Sequence, residues 1–299
     1  MLSKYMKTIG NTPMVRLERN IYMKLEGHNP SGSIKDRSIN NMIKNLTTRT
    51  TTTRTTATTS TKCLVTSGSA GLALYNTYTK QDTCDDSLVI MPLKYSQKKG
   101  PSILLNKPHI KVHKSFDSLV HSQNNDSKPS FRALLLDDEF INIIDKTNDA
   151  IVKYDWTLLD QHHNTDCVDC HKQTASEIIN QLPTVTDVVC TTGTGGTAAG
   201  LIKYLPNRVT VHARTSVSGE IDGLGDVGRY DNYCDTQMIS GYYDCKYKHN
   251  DAIKYMSYIN DQCGMRVGES TGVALWLANE INVRPNMNIV VISADGRVC

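Results

Sequence analysis

Lys35 stands where a chemically reactive amine would be useful. It follows the small-residue run NPSGSI at 29–34 and precedes a helical pattern, so we expect it at the beginning of a helix. A helix N-terminus disfavours a cation. An amine held there is suited to Schiff-base chemistry, in which the lysine attacks a carbonyl carbon and its surroundings tune its pKa. On these residues alone, a salt-bridged surface lysine remains the alternative.

A glycine-rich loop in the second half of the chain offers a place for a phosphate. The run Gly193-Thr-Gly-Gly-Thr197 follows a strand pattern at 187–190 and precedes a helical pattern at 198–205. Glycines let the backbone approach an anion, and the N–H groups and dipole of a helix N-terminus attract it. The loop also fits the loose dinucleotide pattern G-x-G-x-x-A, with Glu220 or Asp222 as a distant acidic residue. A lone phosphate, a dinucleotide and a structural turn all stay open here.

Five residues with metal-binding side chains cluster shortly before this loop. They are His162, His163, Cys167, Cys170 and His171. The string CVDCH matches c-type haem attachment, but that chemistry needs an export route and the N-terminus shows no signal-peptide pattern. Four soft ligands could instead hold a structural zinc ion. We interpret the cluster as an ordinary loop and predict no metal site.

Composition narrows the class of protein. The 299 residues are 39% hydrophobic and 21% charged with a formal net charge of +3, and no Lys/Arg block suggests a nucleic-acid partner. No stretch approaches the roughly 18 apolar residues of a membrane span. The nine cysteines are odd in number and irregularly spaced, which favours reduced thiols and a cytoplasmic location over a disulfide framework.

The elements that must position these residues alternate between strands and helices. The predicted strands are 21–25, 63–65, 87–92, 110–113, 187–190, 209–213 and 288–293, and the predicted helices include 38–46, 198–205 and one ending near 281. Such alternation predicts an α/β fold with mostly parallel sheets flanked by helices and with ligands at the carboxyl ends of the strands. The length favours two lobes, 1–145 and 146–299, with the ligand in the cleft between them.

Two segments of the first lobe have unusual composition. Residues 47–61, TTRTTTTRTTATTST, include eleven threonines, and we expect a flexible, low-complexity surface insertion. Residues 66–71, TSGSAG, follow a strand and precede a helical pattern that opens at Leu72, so we expect a loop of small residues there.

Several motifs occur together in an order that is more specific than any of them alone. They are Ile9-Gly-Asn-Thr-Pro13, the Lys35 motif, Thr66-Ser-Gly-x-x-Gly71, Gly193-Thr-Gly-Gly-Thr197, Gly223-x-Gly225 and Gly268-x-Ser270-x-Gly272. From about residue 8 to Asp295, the chain resembles the cysteine synthase and cystathionine β-synthase family of fold type II pyridoxal-phosphate enzymes. The resemblance implies pyridoxal 5'-phosphate as cofactor, because an NAD enzyme would not need the first three motifs.

The resemblance also implies a set of site residues. Lys35 matches the lysine that bonds to the cofactor and returns the Cα proton. The implied cofactor-binding residues are Ser69, Gly193, Thr194, Gly195, Gly196, Thr197 and Ser270. The implied substrate-binding residues are Thr66, Ser67, Gly68, Ala70 and Gln161. Ser270 would face the pyridine nitrogen, and a neutral serine there leaves that nitrogen largely unprotonated, which favours β-elimination over transamination.

The chain departs from the family pattern at two of these positions. Ser69 stands where the family usually has Asn, which contacts the cofactor's ring hydroxyl, and Ala70 stands where it usually has Thr. The loss of one such donor costs roughly 1–3 kcal/mol. Because Lys35 is kept, we expect an active enzyme with an altered substrate preference.

The implied reaction is β-replacement on serine or O-acetylserine with a sulfide or thiol nucleophile, as in cysteine synthases or cystathionine β-synthases. The resemblance implies a homodimer and a small amino-acid substrate. Three alternatives stay open: a serine or threonine dehydratase, a catalytically weak binding protein that takes a partner's C-terminal peptide in the substrate cleft, and an NAD-binding oxidoreductase.

Overall fold

The computed structural model describes residues 8–52, 60–66, 68–80, 86–97, 99–107, 109–123, 130–214, 224, 242–243, 249–282 and 286–296. The strands in these ranges are β1 (Met14–Arg16), β2 (Ile21–Leu25), β3 (Lys62–Val65), β4 (Ser87–Pro92), β5 (Lys111–His113), β6 (Phe131–Leu136), β7 (Thr157–Leu158), β8 (Asp187–Thr191), β9 (Thr210–Arg214), β10 (Tyr242–Tyr243) and β11 (Ile289–Ser293). The helices are α1 (Lys35–Thr52), α2 (Ser69–Lys80), α3 (Lys99–Leu105), α4 (Phe116–Gln123), α5 (Phe140–Tyr154), α6 (Asp166–Asp169), α7 (His171–Gln181), α8 (Gly196–Tyr204), α9 (His249–Cys263) and α10 (Glu269–Ile281).

The chain forms two compact units. The described residues up to Ser38 and from His162 onward make up the first unit, and Ile39–Gln161 makes up the second. This division differs from the predicted lobes 1–145 and 146–299. The N-terminal residues join the C-terminal half because β2 pairs in parallel with β11, from Ile21 opposite Ile289 to Leu25 opposite Ser293.

The first unit is built on a six-stranded sheet with the order β1-β2-β11-β8-β9-β10. Only β1 runs antiparallel to its neighbour, and the other pairs are parallel. The central strands β8 and β11 contain the apolar runs VVC and IVVI, as expected for strands that are buried on both faces of a sheet. Val188 and Val290 contribute to one hydrophobic cluster with residues of α7 and α8, whereas Val189 and Val291 contribute to another with residues of α10.

The second unit is built on a five-stranded sheet with the order β5-β6-β4-β3-β7, and every pair in it is parallel. One hydrophobic cluster joins residues of β3, β4 and β6 to Ile143 and Ala150 of α5. On α2, Gly71 lies so close to Val89 of β4 that an added Cβ would be 3.1 Å from its side chain. The predicted α/β class with mostly parallel sheets is therefore confirmed in both units.

Most predicted elements lie within one or two residues of the observed ones. The strands predicted at 21–25 and 87–92 match β2 and β4 residue for residue. In the helix predicted at 38–46, the periodic spacing of Ile39, Met42 and Ile43 places them on one face, and all three are buried in α1. The loop predicted at 66–71 is shorter than expected, because α2 begins at Ser69 rather than at Leu72. Residues 162–171, predicted as an ordinary loop, contain α6 and the start of α7.

The threonine-rich tract is partly structured. Residues 47–52 continue α1, although threonine is a poor helix former, because they extend a helix that has already formed. Ser60 and Thr157 share a hydrogen bond of 2.6 Å between their side-chain oxygens, and the Thr157 amide donates to the Thr61 carbonyl. Residues 53–59 lie outside the described ranges, as do Gly223 and Gly225 of the predicted motifs.

No helix within the described ranges is both long and apolar enough to cross a membrane.

Candidate active site

Lys35 is the first residue of α1, as the sequence predicts. Two contacts with the end of β11 hold the segment that precedes it. Ser33 forms an antiparallel bridge with Asp295, and the Ile34 amide donates to the Ala294 carbonyl at 2.7 Å. The amine is therefore anchored at the carboxyl end of a central strand, where parallel sheets bind ligands.

The environment of Lys35 suits a nucleophile. Its side chain is partly buried, and burial lowers the pKa of its amine, although the nearby Cys167 and Cys170 act in the opposite direction. A lowered pKa increases the fraction of neutral amine, which is the form that attacks a carbonyl carbon.

Two residues after Lys35, a buried ionic network fixes the beginning of α1. Arg37 donates to both carboxylate oxygens of Glu26, at 2.7 and 2.8 Å, and to Glu177 at 2.8 and 3.0 Å. Burial works against the Arg37 cation, but these hydrogen bonds raise its pKa. Because both carboxylates bind one planar guanidinium, the orientation of the helix start is strongly constrained.

The same network holds the N-terminal motif of the chain. Lys24 forms an ion pair with Glu177 at 2.6 Å, the Asn11 amide donates to Glu177 at 2.8 Å, and the Thr12 hydroxyl donates to Glu26 at 2.8 Å. Burial opposes the charge of Glu177, but hydrogen bonds from Arg37 and Lys24 hold its pKa at about 2. The motif thus supports the lysine segment through shared carboxylates.

The glycine loop connects β8 to α8 and has the geometry of an anion site. Gly195 precedes the helix with φ +88°, a conformation that favours glycine. Gly196 opens the helix so close to α6 that an added Cβ would lie 3.1 Å from the Cys167 carbonyl oxygen. The Thr192 hydroxyl oxygen is buried without a hydrogen-bond partner among the described residues. The backbone N–H groups of the first turn of α8 can therefore bind an anion.

A histidine that sequence reasoning left in a loop positions this glycine loop. His171 is buried, with Nδ1 3.1 Å from the Thr174 hydroxyl and Nε2 3.2 Å from the Thr197 hydroxyl. Burial, followed by the positive charges of Arg37 and Lys35, lowers the pKa of His171 to about 3. The neutral ring can therefore fix the Thr197 side chain without adding charge. The i, i+3 spacing of His171 and Thr174 could have indicated this pair from the sequence, because residues three apart are neighbours on a helix.

These contacts bring the lysine and the glycine loop together. Cys167 interacts electrostatically with Lys35, and its carbonyl lies against Gly196. The Lys35 charge also acts on His171, which contacts Thr197. The Lys35 amine and the glycine loop therefore lie in one region of the first unit.

Ser270 lies at the start of α10 in the same unit and is buried. Its hydroxyl donates to a carboxylate oxygen of Asp295 at 3.3 Å. Since Asp295 also bridges Ser33, the hydroxyl is linked to the segment that carries Lys35. Asp295 was not identified as a site residue from the sequence, because it follows the last strand without any motif of its own.

The predicted substrate-binding residues belong to the second unit. The Thr66 amide donates to the Ile90 carbonyl, and its hydroxyl accepts from the Gly68 amide at 3.1 Å. Gln161 is buried and donates to the Val65 carbonyl at 2.8 Å, directly before Thr66. The structure therefore places Gln161 beside the Thr66 loop, although they are far apart in the chain.

The remaining predicted residues follow this loop. Ser69 and Ala70 open α2, so their backbone N–H groups lie in a first helical turn, where such groups lack intrahelical partners. Ala70 is buried. Ser67 lies outside the described residues. Thr66 and the helix start thus form a second group of donors that suits a carboxylate.

No group of three or more His, Cys, Asp or Glu side chains within the described ranges is arranged to hold a metal ion. The described ranges include all five residues of the cluster from His162 to His171.

A comparison with protein-family models matches residues 5–295 to the pyridoxal-phosphate dependent enzyme family. Among curated proteins, cysteine synthase B of Pseudomonas syringae pv. syringae is 41% identical over 73 residues, which cover 22% of this chain and 41% of that protein. Cysteine synthase 1 of Emericella nidulans is 26% identical over 341 aligned residues, which cover 97% of this chain and 81% of that protein.

Among solved structures, a hydrogen sulfide-producing enzyme from Fusobacterium nucleatum has the same fold, with a TM-score of 0.75 and 23% identity over 96% of each chain. The matches to the first curated relatives are shorter and span between about a quarter and two fifths of those proteins. The fold match covers 96% of this chain, whereas the sequence matches of highest identity cover less than a quarter of it.

Proposed function

Because this chain belongs to the pyridoxal-phosphate dependent enzyme family, we propose that it binds pyridoxal phosphate through Lys35 and catalyses β-replacement on a serine-type amino acid. The proposed substrates are O-acetylserine or serine and a sulfide or thiol nucleophile, as in cysteine synthases or cystathionine β-synthases. The observation that carries this proposal is the partly buried, low-pKa amine of Lys35 beside an anion-binding helix start.

The residues of the first unit fit the cofactor. The loop Gly193-Thr-Gly-Gly-Thr197 would hold the phosphate, with the buried Thr192 hydroxyl as an additional donor. Ser270 would contact the ring nitrogen. When bound, pyridoxal phosphate supplies an electron sink for the negative charge that develops at the substrate Cα.

Lys35 then has two roles in the proposal. Its neutral amine would hold the cofactor covalently, and the same amine, when free, would accept the proton from the substrate Cα and return it. The Arg37 network keeps the helix start in place during this exchange, because its contacts do not involve the Lys35 amine.

The second unit supplies the proposed contacts to the substrate carboxylate. Thr66, Ser67 and Gly68 would provide backbone N–H groups and hydroxyls, and Ser69 and Ala70 would add the first turn of α2. Ser69 is also proposed to contact the cofactor's ring hydroxyl. Gln161 is directed to the same loop by its hydrogen bond to Val65. Ala70 lacks the hydroxyl usual in the family, so we expect weaker carboxylate binding, by roughly 1–3 kcal/mol.

The test is the visible absorbance of the purified protein with pyridoxal phosphate, before and after addition of O-acetylserine or serine. We expect a yellow band that changes on addition of the amino acid and returns when sulfide is added. A protein that cannot be reconstituted to a coloured form would refute the proposal. A band that no serine derivative changes would indicate a binding protein, with a peptide partner in the substrate cleft.

Matched variants assign the band to the lysine. Lys35→Arg keeps a long basic side chain but cannot bind the cofactor covalently, so we expect it to lose the band. Lys44→Arg makes the same change at an exposed position of the same helix and should keep it. Equal bands in both variants would show that another lysine is used.

We also propose a cytoplasmic homodimer. The buried Cys63 thiol, whose pKa burial raises to about 12, and the Cys170 thiol are not in disulfides, which favours a reducing compartment. The dimer rests on the family resemblance. Sedimentation velocity tests it, and a monomer at all concentrations would contradict it.

A further inference from the structure

The proposed function uses Ser270 but gives no role to Asp295, the carboxylate to which the Ser270 hydroxyl donates. The Ser270 hydroxyl is buried and donates to Asp295 at 3.3 Å. This site therefore has a carboxylate behind the serine, whereas the sequence led us to expect a neutral serine alone.

The position of this carboxylate is built into the fold. Asp295 forms an antiparallel bridge with Ser33, and Gly296 forms one with Val267, so the backbone of this segment is held on both sides. Gly268 leaves room for the carboxylate, because a Cβ there would come within 2.2–2.4 Å of both Asp295 oxygens. A side chain at 268 would displace the carboxylate from Ser270.

The serine hydroxyl has a single proton to donate. It also has two lone pairs that can accept. If the proton is donated to the Asp295 carboxylate, only a lone pair remains for the ring nitrogen that Ser270 is proposed to contact. A lone pair makes a hydrogen bond only if that nitrogen carries a proton of its own.

We propose that Asp295 is a positioning residue. Its carboxylate accepts the hydrogen bond from the Ser270 hydroxyl, so that Ser270 in turn accepts a hydrogen bond from a protonated ring nitrogen. This inference rests on the proposed function. It reverses the expectation that a serine at this position leaves the nitrogen unprotonated. A protonated ring is a stronger electron sink, and the carboxylate acts on it through the serine rather than by direct contact.

The test is the ¹⁵N NMR resonance of the ring nitrogen in protein reconstituted with ¹⁵N-labelled pyridoxal phosphate at neutral pH, without substrate. In the wild-type protein we expect the resonance on the upfield, protonated side of the reference spectra of the free cofactor. Asp295→Asn keeps the size of the side chain and removes its charge, so we expect the resonance to move downfield to the unprotonated position. Glu280→Gln removes an exposed carboxylate from the same helix as Ser270 and should leave it unchanged.

The outcomes separate this inference from the proposed function. An unprotonated ring nitrogen in the wild-type protein overturns the inference whether or not any variant folds. A protonated nitrogen that Asp295→Asn does not change overturns it as well, even if the enzyme turns over O-acetylserine. Failure to bind the cofactor at all would instead refute the proposed function, and this inference with it.

Discussion

Lowering the pH should decrease the free energy of unfolding, because His171 is held neutral in the folded protein. The ring lies between two threonine hydroxyls in the folded protein, and its pKa falls from 6.5 to about 3, mainly because it is buried. The unfolded chain binds a proton at this histidine near pH 6.5, whereas the folded chain does not. The contribution of His171 to the free energy of unfolding is therefore fully present above pH 6.5 and decreases as the pH falls from 6.5 towards 3.

The size of the effect follows from the two pKa values. At pH 5.5 the unfolded chain holds nearly one proton at His171 and the folded chain holds almost none. The free energy of unfolding is then lower than at pH 8 by about 1.4 kcal/mol from this residue alone. Glu177 does not contribute in this window, because its pKa moves from 4.5 to about 2 and affects stability only at lower pH.

The assay is urea unfolding at pH 8.0 and pH 5.5 for the wild-type protein and for His171→Asn, which cannot be protonated. The variant is expected to be less stable at pH 8, because it loses one of the two hydroxyl contacts, but to lose about 1.4 kcal/mol less on acidification. Titration of the His171 Hε1 resonance checks the same claim directly. A midpoint near 6.5, or the same pH dependence in both proteins, would refute the reasoning.

Two further substitutions test the packing around the site by chemical denaturation. Glu177→Gln removes a carboxylate from two buried cations and should lower the free energy of unfolding by about 3–5 kcal/mol. Its control, Glu139→Gln, breaks an exposed ion pair and should lower it by less than about 1 kcal/mol. Equal losses would contradict a structural role for the buried network. Gly200→Ala places a Cβ 2.5 Å from the Val168 carbonyl oxygen and should cost about 1–3 kcal/mol, together with weaker binding of pyridoxal phosphate. Gly68→Ala, where an added Cβ meets nothing within 4 Å, is its control for stability, and an unchanged Gly200→Ala protein would show that α8 can move away from α6.

Local patterns were enough to predict the elements that carry the chemistry. The run before Lys35 and the periodic Ile39, Met42 and Ile43 predicted the start of α1, and alternating strands and helices predicted two parallel sheets. These signals depend on turn chemistry and side-chain periodicity, which act over a few residues. The order of the motifs identified the family before any contact was known.

Predictions of boundaries from local patterns were less accurate where a segment joins or pairs with another element. The composition of the threonine-rich tract predicts a flexible insertion, but residues 47–52 extend α1. Adding residues to a helix that has already formed is easier than starting a new one. The predicted lobe boundary near residue 145 also differs from the observed units, because the pairing of β2 with β11 draws the first residues into the C-terminal half.

What surrounds each reactive side chain was decided only by the tertiary structure. Asn11 meets Glu177 across 166 residues of chain, and His171 meets Thr197. The carboxylate of Asp295 reaches Ser270. Residue types and local spacing specify which groups are available for chemistry. Their pKa values and hydrogen-bond partners depend on burial and on close contacts between distant segments, and both arise only when the sheets and helices pack.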